Sequence, residues 1–251
     1  MQEDEPYIIT KRRTVRRIHW GRIAAAVFLL SAVVMGCVFW FSRTPRALHT
    51  RARTYRLVTV GEYADLGEAS ARADDAIRAG GAGYLYGQNS YAVALACYAS
   101  KEDAETVCAR LQESGEDASV TAITCNAITL DKPSQNADEL KRMLSMPARL
   151  FDELYTVSVQ TDGKEISEAA AKYAALKMRV ACVEYAGVCG NFRSDAGAYL
   201  AALFLSLADT LDAPANASEN VAPALKYALC ETAVKICAHT SDFCDKIKNC
   251  K

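Results

Sequence analysis

The chain lacks the short signatures that mark the common enzyme classes. None of its 251 residues falls in a GxSxG, HExxH, Walker or GxGxxG stretch with a fitting context. That leaves no motif support for serine hydrolases, zincins, P-loop enzymes or dinucleotide enzymes, and no catalytic residue is nominated. Histidine is scarce, at three, and no CxxC occurs. A metal centre is therefore not expected, and no cofactor is implied. The net charge is −1, so there is no basic excess to suggest a nucleic-acid partner. Only two tryptophans occur, and one long uncharged run is strongly apolar.

That run, Ile23 to Ser42, covers 20 residues. As a helix it would span roughly 30 Å, the thickness of a bilayer's hydrocarbon core. The two tryptophans, Trp20 and Trp40, bracket it, as amphipathic indoles do at membrane interfaces. It exceeds a signal-peptide h-region and lacks a small-x-small site at its end. Residues 23–42 are thus expected to be a retained transmembrane anchor. Residues 1–22 hold Lys11, Arg12, Arg13, Arg16, Arg17 and Arg22, a basic cytoplasmic tail that favours an inside N-terminus. The bulk of the chain is then expected outside the cytoplasmic membrane. Residues 43–54, basic and with Pro45, read as a linker.

Residues 55–125 contain one pattern twice, 35 residues apart. Val58 matches Val93, Val60 matches Leu95, Tyr63 matches Tyr98, Ala69 matches Ala104 and Gly80 matches Gly115. Period-two apolar residues predict strands over 55–63, 82–86, 91–98 and 118–124. Asp65-Leu66-Gly67-Glu68 reads as a helix start with acids near its positive end, and Ser100 as the N-cap of a second helix with Asp103 three residues on. Gly87-Gln88-Asn89-Ser90 is a hairpin turn between two strands. The order is βαββαβ. Two helices must cover one sheet face, the one bearing Val58, Val60, Val93 and Leu95. The opposite face carries Leu57, Thr59, Ala92 and Ala94.

The run Tyr-x-x-Val-x-Val-Gly-x-Tyr, an alanine-rich helix ending in glycine, a hairpin, then Tyr-x-Val-x-Leu-x-x-Tyr and Ser-x-Glu-x-Ala resembles the SPOR (sporulation-related repeat) domain. The resemblance implies a ferredoxin-like βαββαβ fold behind a single-pass anchor in the bacterial envelope. It further implies binding to peptidoglycan, notably septal glycan strands stripped of stem peptides, in cell division or sporulation. Septal or sporulation proteins are further partners it brings to mind.

Sugars stack on aromatic rings and take hydrogen bonds from polar groups. Thr59, Tyr84, Tyr86, Gln88 and Asn89 are the glycan-binding candidates. SPOR-like strands usually carry polar or basic residues where this chain has Ala92 and Ala94. A small apolar face also suits packing against protein. The alternative is therefore an extracytoplasmic scaffold whose sheet packs on a partner or on the chain's own helices and binds no glycan.

Residues 126–136, with Asp131, Lys132 and Pro133, read as a second linker. Residues 137–251 are helical in pattern: a helix interrupted or kinked at Pro147, a long amphipathic helix from Ile166, a short apolar helix over 196–208, and a last helix starting near Pro223. The expectation is a four-helix bundle and an α+β chain as a whole. Cys182 and Cys189 are seven apart, and so are Cys230, Cys237 and Cys244. Two helical turns put each set on one stripe. Cysteine packs as a small hydrophobe, which gives one reading. Outside the membrane, inter-helix disulfides among Cys182, Cys189, Cys230, Cys237, Cys244 and Cys250 give the other, with the 182/189 helix pairing the 230/237 helix.

Overall fold

In the computed structural model, β2 (Arg53–Tyr63) is the longest strand and sits inside a four-stranded antiparallel sheet. The described residues are 48–130, 137–192 and 194–249. The expected anchor at 23–42 and Cys250 lie outside them. The described residues belong to one compact unit.

The sheet also contains β3 (Tyr84–Tyr86), β4 (Tyr91–Tyr98) and β5 (Ala118–Cys125), in the order β3-β4-β2-β5. β3 is therefore an edge strand. Helices α1 (Leu66–Arg78) and α2 (Lys101–Glu113) complete the βαββαβ unit. Each begins on a side-chain cap: Asp65 accepts from the Glu68 amide and Ser100 from the Asp103 amide, satisfying N–H groups that a helix start leaves unpaired. Buried Ala69, Ala73 and Ala76 on α1, and Ala104 and Cys108 on α2, form stripes of small residues. Ala73, Ala76, Ala104 and Cys108 close a core with Val58, Val60, Val93 and Ala118, as the period-two pattern predicts. After each helix a glycine takes φ +90° (Gly80 and Gly115), a conformation that a side chain disfavours.

A bulge interrupts β4. Val58 pairs with Ala96 and Thr59 with Ala94, leaving Leu95 as the extra residue. A bulge shifts the alternation of faces by one. Cys97, which strict alternation would place with Val93 under the helices, instead joins Ala94 and Leu57 in the cluster on the other side of the sheet.

The two stretches read as linkers contain strands. β1 (Leu48–His49) pairs antiparallel with β6 (Thr129–Leu130), and Leu48 and Ile128 are buried. The sheet domain thus extends over 48–130 and is closed at its base.

The helical region comprises α3 (Ala137–Asp162), α4 (Glu168–Gly190), α5 (Asp195–Thr210), the short α6 (Asp212–Asn216) and α7 (Val221–Asn249). α3 is one helix with Pro147 inside it, not two pieces broken there. α4 passes through Gly187 to end at Gly190. Among the described residues one stretch, Asp195–Asn216, is long and apolar enough to cross a membrane by length and composition. Its Leu200, Leu203, Phe204 and Leu207 are buried within the same cluster as the other helices, the pattern of a bundle's central helix.

Candidate functional site

The outer sheet face, opposite α1 and α2, is the face on which the sequence places its glycan candidates. It is not open. Tyr55, Leu57, Ala94, Cys97, Ile123 and Cys125 are buried in one cluster with Leu225, Leu229, Cys230, Ala233 and Ile236 of α7. α7 lies against β3, β4 and β5. The sheet is therefore a filling between two helical layers, α1 and α2 on one side and α7 on the other. Each layer excludes water from apolar surface that would otherwise face it.

Specific contacts fix this arrangement. The Tyr84 ring meets that of Tyr227 edge-on at 5.2 Å. The Lys226 ammonium donates to the Gly80 carbonyl at 2.8 Å and pairs with Asp162 at 2.8 Å, a cation placed at the C-terminal end of α1. At the other flank Tyr55 lies 4.5 Å from Phe151 and Tyr98 lies 6.1 Å from Tyr155, ring to ring. Arg53 donates to Asp152 through both ends of its guanidinium and to the Ala148 carbonyl at 3.3 Å. Its guanidinium also sits over the Tyr55 and Phe151 rings. The Asp152 hydrogen bond raises the Arg53 pKa. Burial raises the Tyr55 and Tyr84 phenols, so both remain neutral.

The candidates separate into two groups. Thr59 is 1% exposed, and its hydroxyl is matched with the Ser119 hydroxyl at 3.0 Å. Tyr84 is half-buried against Tyr227, and Tyr86 is half-buried beside it. Gln88 and Asn89 are exposed on the hairpin. There Ser90 donates to Glu62 at 2.7 Å, so Glu62, Gln88, Asn89 and Ser90 make a polar rim beside Tyr86. Ala92 is half-buried and Ala94 fully so. Sequence reasoning missed Ser119, Lys226 and Tyr227. Ser119 follows from the β2–β5 register, where it stands opposite Thr59. No local signal points to the other two.

The cysteines are arranged differently from the helix-to-helix pairing expected of them. All eight described (Cys97, Cys108, Cys125, Cys182, Cys189, Cys230, Cys237 and Cys244) are free thiols. The stripe on α7 faces the sheet and not α4. Thr240 Oγ1, one turn beyond Cys237, accepts from the Cys125 thiol at 3.2 Å. Cys244 reaches the Ala127 carbonyl at 3.9 Å. The physical reason is that α7 uses this side to cover the sheet, while Cys182 and Cys189 point into the bundle core. Among the described residues no group of three or more His, Cys, Asp and Glu is placed to hold a metal ion.

Residues 52–122 match the family model described as "SPOR domain". This part of the chain is a SPOR domain. The match covers the βαββαβ unit as far as Ala122, within β5, and none of the helical region. SPOR domains generally bind peptidoglycan in cell-division proteins, and the domain is a binding module, not a catalyst. No curated protein and no solved structure matches the chain significantly.

Proposed function

We propose that this protein is a membrane-anchored, non-catalytic peptidoglycan-binding protein that acts at the septum in cell division or sporulation. Residues 23–42 hold it in the cytoplasmic membrane with its N-terminus inside, and the SPOR domain and helical region lie outside. The observation that carries the reading is the SPOR match over 52–122 on a complete four-stranded sheet. Glycan strands meet the domain at the open rim of Tyr86, Gln88 and Asn89, and at Thr59 and Tyr84 when α7 moves aside.

One observation favours a second reading. Ala94 is buried in one cluster with α7 and Thr59 is buried against Ser119, which suits a scaffold whose sheet packs on its own helices and takes no sugar. Co-sedimentation of the detergent-solubilised full chain with purified sacculi separates the two. The expected result is enrichment on sacculi, stronger once stem peptides are removed by an amidase and weaker for Gln88→Ala/Asn89→Ala. Recovery no greater than that of an unrelated anchored domain overturns the glycan reading and leaves the scaffold.

A further inference from the structure

Helix α4 is apolar on two sides. One side, with Ala171, Ala175, Met178, Cys182, Ala186 and Cys189, is buried in the bundle. The other is a stripe of large side chains that lies in solvent: Tyr173 is 69% exposed, Leu176 41%, Val180 47% and Val183 50%. A helix apolar on both sides calls for cover on both. The stripe is spaced three, four and three, the repeat with which one helix faces another. Gly187 and Gly190 continue this spacing to the helix end and are exposed. A Cβ added at either would meet nothing within 4 Å. The stripe is thus bulky in its first half and bare in its second. Lys177 and Glu184 flank it on one side, exposed and with no ion-pair partner among the described residues. On the other flank Arg179 lies 3.1 Å from the Asp212 carboxylate. The apolar surface continues into a groove of about 390 Å³ between α3 and α4, lined by Met146, Leu150 and Val157 and bordered by Tyr173 and Lys177.

We propose that the outer stripe of α4 is a homodimer interface, occupied by the antiparallel α4 of a second copy. The occupant is a second copy because the surface complements itself when one helix is turned end for end. Tyr173 of one copy then lies over Gly190 of the other, Leu176 over Gly187, and Val180 against Val183, each contact occurring twice. A large side chain over a glycine lets the two backbones come close and leaves little of that side chain in water. The charges agree. Flanking positions of the same kind face each other in an antiparallel pair, so Lys177 meets Glu184 of the second copy. Arg179 stands opposite Ala186, and no like charges are opposed. In a parallel pair Tyr173 would lie on Tyr173, the two bare halves would leave a gap, and Lys172 would oppose Lys177. Charges at such positions set helix orientation.

The interface lies wholly in the helical region, outside residues 52–122. A dimer therefore carries two SPOR domains and alters neither. Two sites on one particle hold a polymeric strand by avidity, beyond the affinity of either site. That consequence rests on the function proposed above; the dimer itself does not.

The test uses the purified full chain in detergent. Sedimentation equilibrium is expected to show a monomer–dimer equilibrium. Gly187→Leu is expected to weaken the dimer roughly tenfold or more by filling the place of Leu176. Its urea midpoint is expected to hold or rise, because leucine is the better helix former at an open position. Lys177→Glu is expected to weaken the dimer roughly tenfold, and Lys177→Glu/Glu184→Lys to restore it. Zero-length carbodiimide coupling in a mixture of unlabelled and heavy-isotope-labelled protein is expected to join Lys177 of one copy to Glu184 of the other. A monomer at every concentration leaves the stripe to a foreign helix or a lipid surface and overturns the proposal. So does a dimer indifferent to Gly187→Leu, one tightened by Lys177→Glu, as parallel helices would be, or one that the charge swap fails to restore. None of these readouts needs a glycan, so failure on sacculi leaves them standing and counts only against the glycan reading.

Discussion

Replacing Phe151 by alanine tests whether the SPOR sheet and the helices share one cooperative core. Phe151 sits on α3 and is fully buried. Its ring lies 4.5 Å from Tyr55 of β2 and 6.4 Å from Tyr155, with the Arg53 guanidinium 5.5 Å from its centroid. Removing a ring in such a place costs ~3–5 kcal/mol, the transfer of the lost atoms plus the cavity they leave. In a unit of about 200 residues that lowers Tm by roughly 6–20 °C. Phe151 belongs to the same buried cluster as Leu57 and Ile123 of the sheet and Leu203 and Leu225 of the helices, so both parts must feel the loss together. Urea unfolding followed by circular dichroism, with hydrogen exchange resolved by peptide, reads this. The expected outcome is a single transition at lower urea, with β2 and α4 losing protection in step. A second transition in which residues 53–125 keep their midpoint would refute the shared core, as would a loss below ~1 kcal/mol. A cycle with Tyr55→Leu should return a coupling of ~0.5–1.5 kcal/mol for the ring pair.

Tyr55→Phe should raise stability by up to ~1–3 kcal/mol in the same urea assay, because the buried Tyr55 hydroxyl has no hydrogen-bond partner among the described residues and its desolvation goes uncompensated. Gly87→Ala should destabilise the β3–β4 hairpin by more than ~1 kcal/mol: Gly87 has φ +130°, and a Cβ there would lie 1.9 Å from the Ser90 carbonyl oxygen. Exchange at Tyr91–Val93 reports it, and unchanged exchange refutes it. Alkaline pH should unfold the protein early. Burial lifts the thiol of Cys97 from 9.0 to about 12, that of Cys182 to about 12 and that of Cys189 to about 11. With folded values above unfolded ones, the stabilisation is complete below pH 9 and is lost as pH rises toward 12. The urea midpoint should fall over that window, and less so in Cys97→Ala.

The repeat was legible because its information is local. Asp65 and Ser100 announce their helices, Gly80 and Gly115 end them, and Val58, Val60, Val93 and Leu95 mark the face that meets α1 and α2. The bulge at Leu95 was not legible, since nothing in Ala94-Leu95-Ala96-Cys97 distinguishes a bulged strand from a regular one. With it went the side of the sheet on which Cys97 stands. The seven-residue spacing of Cys230, Cys237 and Cys244 showed that they share a stripe, but a stripe does not name what it faces. That was decided by contacts more than a hundred residues apart in sequence, such as Cys125 with Thr240. For the same reason Gln88 and Asn89 could be placed on an exposed turn from sequence, whereas the closure over Thr59 could not.

The way the sheet domain is closed at its base has a mechanical consequence. Leu48 pairs with Leu130, and the next rung inward in the larger sheet joins Arg53 to Cys125. Both ladders are antiparallel and both have their chain ends at the same side. Tension entering at residue 48 and leaving at residue 130 therefore peels hydrogen bonds one rung at a time, the geometry of a zip and not of a shear. After the short ribbon gives way, the load arrives at Arg53 and Cys125. Those two residues are also the ones gripped from outside the sheet, Arg53 by Asp152 of α3 and Cys125 by Thr240 of α7. The helices thus clamp the mouth of the zip, and the resistance of the domain to pulling is set there more than by the strands themselves.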